Sequence, residues 1–326
     1  MNSFSEGRSY LLPPESVSKR EIEARLAGIL SASGYQEVVI PLVQEYASNG
    51  PRPLKKLMDS AYKFIDYRGR VMILRPDMTE VVASLAAKEL RELPRPLRLF
   101  YSGSIFKARR PGEADGLESH QIGAELVGDG EPEADIEILT LASRCLEEAG
   151  ISSCQIRLGH VGLIEAVMEI AGMEEAEKTR VREALLVRDL VSLGRFIQGS
   201  RIPEGSRDFL MEILELPDGE KLLESAEALA AYDPSGRISC VVSSLRRVIK
   251  EAKINRPSIQ IQLDLGLVRD LEYYTGMVFE AYAPGHGGPV CGGGRYDGLL
   301  RLLGRSEGAV GFALHIEHIL MAGGRI

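Results

Sequence analysis

At 326 residues the chain has room for one large domain or two, and 44% hydrophobic with 26% charged residues is ordinary for a globular protein. The net charge of −8 argues against a broad nucleic-acid-binding surface, and no apolar run approaches the ~18 residues needed to span a bilayer. The four cysteines, Cys145, Cys154, Cys240 and Cys291, form no Cys-x-x-Cys pair and the start holds no apolar signal core, so reduced thiols, no structural zinc and a cytoplasmic location are expected.

Residues 17–33 carry Ile22, Leu26, Ile29 and Leu30 at helical spacing, and Gly34 suits the stop. Residues 35–42 read as a strand, and the polar stretch 43–56 as a loop. Residues 62–65 and 71–74 make a predicted hairpin around the turn at 67–70. Val81, Val82, Leu85, Ala86 and Leu90 then repeat with helical spacing, Pro94 ends that helix, and Asp77 or Thr79 would cap it. Residues 97–106 and 120–128 read as two strands joined by the polar loop KARRPGEADGLES. Gln121 and Glu125, four apart on the second strand, share one face. That face fits either solvent or a ligand.

Residues 132–150 form a predicted amphipathic helix, 154–159 a strand and 163–171 a short helix. From 173 to 253 the composition turns to Glu, Ala, Leu, Lys and Arg, with breaks at Pro203, Pro217 and Pro234. This part reads as a mostly helical insertion subdomain without evident chemistry, set into a core domain of residues 1–172 and 254–326.

The densest chemistry lies at 264–294, DLGLVRDLEYYTGMVFEAYAPGHGGPVCGGG. An alternating strand, Ile259, Ile261, Leu263 and Leu265, leads into it, and a second strand is expected over 277–282. Between them stand Arg269, Tyr273 and Tyr274. A guanidinium grips a carboxylate bidentately, and phenols hydrogen-bond a small polar ring, so the three together suit an amino acid. The glycines of CGGGRYDG lack the Lys-Ser/Thr ending of a phosphate loop, and no cofactor is expected. A helix over 296–303, a strand over 308–314 and a last helix from 316 complete the chain.

LVRDLEYYTGMVFE resembles the histidine-specific signature of histidyl-tRNA synthetases, usually L-V-R-G-L-D-Y-Y-T-G, with Asp270 and Glu272 as departures. Gln121, Gly123 and Glu125 match that family's Q-x-G-x-E. GYQEVVIP with the helix before it resembles motif 1 of class II synthetases, the strands around KARRPGEADGLES resemble motif 2, and GAVGFALHIEHIL resembles motif 3. The resemblance runs from about Leu12 to Met321. It implies an α+β, class II aminoacyl-tRNA synthetase-like fold: an antiparallel sheet flanked by helices, dimeric through motif 1. It also implies a histidine pocket. Arg269 would hold the carboxylate, Asp77, Thr79 and Gln121 the ammonium, and Glu125 with Tyr274 the imidazole, with Tyr273 shaping the wall.

The nucleotide side departs from the synthetases. Lys107 replaces the motif 2 Arg and lacks its planar fork. Arg109 stands where the family has a Glu near adenine, and His318 replaces the Arg of motif 3. Loss of one preorganised donor commonly costs ~3–4 kcal/mol of transition-state stabilisation. No anticodon-binding domain is expected after motif 3, and with it no tRNA. A kept histidine pocket beside an altered nucleotide site resembles the regulatory subunits of ATP phosphoribosyltransferase, and LFYSGSIFKARRP and LEYYTGMVFEAYAPGHGGPVCGGGRYDGLL resemble that family more than any synthetase. The resemblance implies a chain without catalytic residues, in a hetero-oligomer with a short-form catalytic subunit, that relays feedback by L-histidine. The alternative is a minimal histidine-activating enzyme in which Lys107 substitutes for Arg; Arg109 and His318 oppose it.

Overall fold

The apolar stripe near the start folds as α1 (Glu15–Ala32), with Ile22, Leu26 and Leu30 buried, and Gly34 follows it at φ +86°, a conformation that a side chain resists. The computed structural model describes residues 10–46, 52–108, 117–215, 219–267 and 273–324. The strand expected over 35–42 is cut short. β1 (Gln36–Glu37) is followed by β2 (Val43–Glu45), and α2 (Arg52–Asp59) occupies the end of the expected loop. Pro41, with no N–H to continue a ladder, lies where the chain leaves one sheet for another. β3 (Lys63–Ile65) and β4 (Val71–Leu74) form the expected hairpin, and β2 pairs on the other side of β4. These three strands make a small sheet of their own.

Next come α3 (Thr79–Lys88), β5 (Leu97–Phe106), β6 (Glu118–Val127), α4 (Pro132–Glu148), β7 (Gln155–His160) and α5 (Val161–Ile170). Between β7 and the next strand run α6 (Glu175–Leu186), α7 (Leu190–Gly199), α8 (Glu204–Glu215), α9 (Gly219–Leu229) and α10 (Arg237–Asn255). The chain closes with β8 (Gln260–Leu263), β9 (Met277–Tyr282), β10 (Pro289–Arg295), α11 (Asp297–Leu302), β11 (Ala309–His315) and α12 (Ile316–Met321). The glycine run expected only to precede a helix is itself a strand, β10.

The main sheet has the order β1-β5-β6-β11-β10-β9-β7-β8. Its central pairings are antiparallel, and the two outermost, β1 with β5 and β7 with β8, are parallel. Alternation along the strands gives the sheet two unlike faces. Phe100, Ile122, Ala124, Leu126, Phe279 and Phe312 face one apolar cluster with α1, α4 and α5. Val181, Leu193, Phe209, Leu223 and Val248 from α6, α7, α8, α9 and α10 belong to the same cluster. The other face meets α3 and α11 through a smaller cluster of Leu97, Leu99, Tyr101, Val82, Ala86, Leu299 and Leu300. That second face carries the candidate site. Among the described residues no helix is long and apolar enough to cross a membrane.

Candidate ligand site

Small residues lie side by side on the second face. The register aligns Gly123 with Ala313, Glu125 with Gly311, and Gly294 with Gly311 across β6, β11 and β10. A Cβ on Gly311 would fall 1.7 Å from Glu125 Oε2, and one on Gly123 would fall 2.5 Å from the Tyr101 hydroxyl. A Cβ on Gly294 would come within 3.0 Å of the Tyr274 ring. These glycines are a floor on which larger side chains lie flat. Gln121 and Glu125 rise from that floor on the same face, as their spacing predicts.

Glu125 is fully buried at 0% exposure. The Thr79 hydroxyl donates to its Oε1 at 2.7 Å, and the Tyr296 hydroxyl to its Oε2 at 2.7 Å. Burial pushes the Glu125 carboxyl up to about 8, against those two hydroxyls and with the help of the nearby Asp77 charge. Thr79 opens α3, so its side chain reaches the sheet instead of capping the helix. Asp77 does act on the helix start: its Oδ1 accepts from the Glu80 N–H at 2.8 Å, while its Oδ2 faces the Tyr273 hydroxyl at 3.4 Å. The same carboxylate thus holds the helix start with one oxygen and faces Tyr273 with the other. Burial, with Asp77 adjacent, pushes the Glu80 carboxyl up to about 7.

Tyr273 is buried, and its ring lies 4.9 Å from that of the half-buried Tyr274 and 6.1 Å from that of Tyr296. Gln121 is buried with Nε2 3.4 Å from His315 Nδ1. Asp77, Thr79, Glu125, Tyr273 and Tyr274 are therefore linked on one sheet face, through Tyr296, while Gln121 shares the face of Glu125 and contacts His315. Arg269 lies outside the described residues, as does Arg109. Sequence reading missed Tyr101, Tyr296 and the floor of glycines. The repeated Gly at 292–294, followed by Tyr296, was the available signal.

At the other end of β11, His318 Nδ1 is 2.7 Å from the Pro289 carbonyl oxygen, and donation to that oxygen would fix the ring. Its ring lies 4.6 Å from His286 and 5.2 Å from His315. The motif 3 Glu317 accepts from the His120 N–H at 2.9 Å. Lys107, just past β5, donates its backbone N–H to the Leu117 carbonyl at 3.2 Å. Among the described residues no group of three or more His, Cys, Asp or Glu could hold a metal ion.

A mainly antiparallel sheet of this order, with motif 2-like and motif 3-like strands paired at its centre, defines a chain of the class II synthetase type. The family model for histidyl-tRNA synthetase matches residues 7–319. Within that type the chain belongs to the ATP phosphoribosyltransferase regulatory subunit family. It is 38% identical over 320 residues to the ATP phosphoribosyltransferase regulatory subunit of Moorella thermoacetica, covering 98% of this chain and 81% of that protein. A solved ATP phosphoribosyltransferase regulatory subunit/histidyl-tRNA synthetase from Bacillus halodurans superposes with a TM-score of 0.86 at 28% identity, covering 99% of this chain and 84% of the other. An ATP phosphoribosyl transferase (HisG:HisZ) complex from Thermotoga maritima holds a chain of the same fold, with a TM-score of 0.67 at 18% identity, covering 91% and 97%.

Proposed function

We propose that this chain is the non-catalytic regulatory subunit of ATP phosphoribosyltransferase in histidine biosynthesis. It assembles with a short-form catalytic subunit that joins ATP to phosphoribosyl pyrophosphate, and it binds L-histidine as a feedback effector. The observation that carries the effector reading is the preorganised carboxyl of Glu125, held at 2.7 Å by both Thr79 and Tyr296 near Asp77. Buried carboxyl groups on one sheet face suit an ammonium and an imidazole N–H. His318 in place of the motif 3 Arg supports the absence of adenylation, because a neutral imidazole does not supply a permanent cation to a triphosphate. Family membership supports the partner. Exposed Val39, Leu42, Val43, Ile65 and Tyr67 around β1 to β4 support a homodimer through the motif 1 region.

Reconstitution tests this reading. The catalytic subunit should be active only with this chain present, and L-histidine should inhibit the assembled complex. A coupling of ~1–3 kcal/mol would make histidine bind about 5- to 150-fold more weakly when the catalytic substrates are bound. Full activity of the catalytic subunit alone would refute the activating role. Histidine-dependent exchange of pyrophosphate into ATP by this chain would refute the non-catalytic one.

A further inference from the structure

The turn between α6 and α7 carries a backbone cost. Arg188 follows α6 at φ 52°, and among the described residues it is the one non-glycine residue at positive φ. Its N–H bonds the Leu185 carbonyl at 3.1 Å, and the Asp189 N–H bonds the Ala184 carbonyl at 2.8 Å, a helix end at which glycine is the unstrained residue. The arginine side chain leaves the helical insertion and pairs with Asp264, whose own side chain is only 11% exposed. Arg157 of β7 stands farther off, 3.9 Å from the same carboxylate oxygen. Asp264 opens the segment 264–267, which leads from β8 toward Tyr273 and Tyr274. The insertion packs against this part of the chain in two further places. A Cβ on Gly266 would lie 2.5 Å from the Ile213 side chain of α8, and one on Gly219 of α9 would collide with the Leu263 side chain.

We infer that Arg188 is a positioning residue through which the helical insertion sets effector affinity: its ion pair with Asp264 holds residues 264–267, and with them the approach to Tyr273 and Tyr274, in the arrangement that takes the amino acid. This rests on the amino-acid reading of the site. A strained turn persists only where its surroundings over-determine it. Here the guanidinium–carboxylate pair is what a glycine could not supply. Without the pair a fraction of chains leaves the binding arrangement, and apparent affinity falls accordingly. The pair is partly exposed, so the effect is modest. A displacement of the α6–α7 turn acts through the same link, which makes the insertion a regulatory arm of the site.

The test uses the whole chain with Arg188→Gln, which keeps the backbone cost and removes the charge, with Arg188→Gly, which removes both, with Asp264→Asn, and with Arg188→Gln and Asp264→Asn together. L-histidine is titrated calorimetrically, the amides of residues 264–267 are followed by hydrogen exchange without ligand, and thermal melts report stability. Arg188→Gly should melt about 2 °C above Arg188→Gln. Both should nevertheless bind histidine about 2- to 5-fold more weakly than wild type, the range for an exposed ion pair, and to the same extent. Exchange at Asp264 and Leu267, whose N–H groups bond the Leu158 and Asp264 carbonyls at 2.8 and 3.0 Å, should quicken by a similar factor. The double variant should lose no more than Asp264→Asn alone. Affinity that follows melting temperature instead of charge, or additive losses in the double variant, overturns the proposal. If the wild-type chain binds no histidine, the amino-acid reading fails. The exchange data then still decide whether Arg188 positions the segment: unchanged exchange in Arg188→Gln refutes that role, and faster exchange sustains it.

Discussion

Gly311→Ala is the sharpest probe of the site, because its cost can be worked from distances. The added Cβ would lie 1.7 Å from Glu125 Oε2 and 2.6 Å from the Ala124 carbonyl oxygen. Carbon and oxygen in contact need roughly 3.3 Å, so the carboxyl must retreat by about 1.5 Å. The Ala124 oxygen is backbone in β6 and cannot follow without disturbing the β6–β11 ladder. Retreat breaks the 2.7 Å bonds from Tyr296 and Thr79. Two buried donors losing a carboxyl partner cost about 1–3 kcal/mol each, so we expect about 3–5 kcal/mol of lost stability. Urea denaturation measures that loss, and calorimetric titration should find L-histidine binding abolished. Gly28→Ala is the control. A Cβ there meets nothing within 4 Å inside α1, and helix propensity predicts a gain of about 0.5–1 kcal/mol. A Gly311→Ala protein as stable as wild type, with undiminished histidine affinity, would refute the packing argument.

Arg295→Met should cost about 3–5 kcal/mol in urea unfolding, because it strands Asp135, which Arg295 meets at 2.8 Å with both side chains under a tenth exposed; Arg295→Met with Asp135→Leu should recover much of that loss. The Glu80 carboxyl stands at about 7 in the fold against 4.5 for its ordinary value. The fold therefore favours its protonated form, and this contribution is fully present below pH 4.5 and is lost as pH rises toward 7. Glu80→Gln should accordingly gain stability over wild type between pH 5 and pH 8, by at most about 3 kcal/mol at about 1.4 kcal/mol per unit; a gain independent of pH would contradict the burial argument. Thr79→Val keeps the volume but removes the donor to Glu125 Oε1, and should weaken L-histidine binding by calorimetry about tenfold.

Much of the fold is legible in the chain. Helical spacing at Ile22, Leu26 and Leu30 is a local property, and α1 follows from it within two residues at its start. The pairing of Gln121 with Glu125 on one face follows from strand geometry alone. Of the strand expected over 35–42 only Gln36–Glu37 pairs in the main sheet, because β propensity does not report where a ladder ends; past Pro41 the chain enters the second sheet at Val43. The three glycines before Arg295 gave the opposite error. Glycine is poor in strands on its own, yet here β9 and β11 on either side hold it in register, and close approach requires the missing side chains.

By itself the sequence determined most of the element types and the family, since these depend on spacing and on residue identity. What Glu125 does was decided only by the tertiary structure. Its hydroxyl partners come from Thr79, 46 residues away, and Tyr296, 171 residues away, and the backbone that makes space for them comes from Gly311. Burial likewise arises only when strands and helices close over a group, and it is burial that raises the Glu125 and Glu80 carboxyls. Such long-range contacts leave no periodic trace in the chain, because their geometry belongs to the assembled sheet and not to any one segment of it.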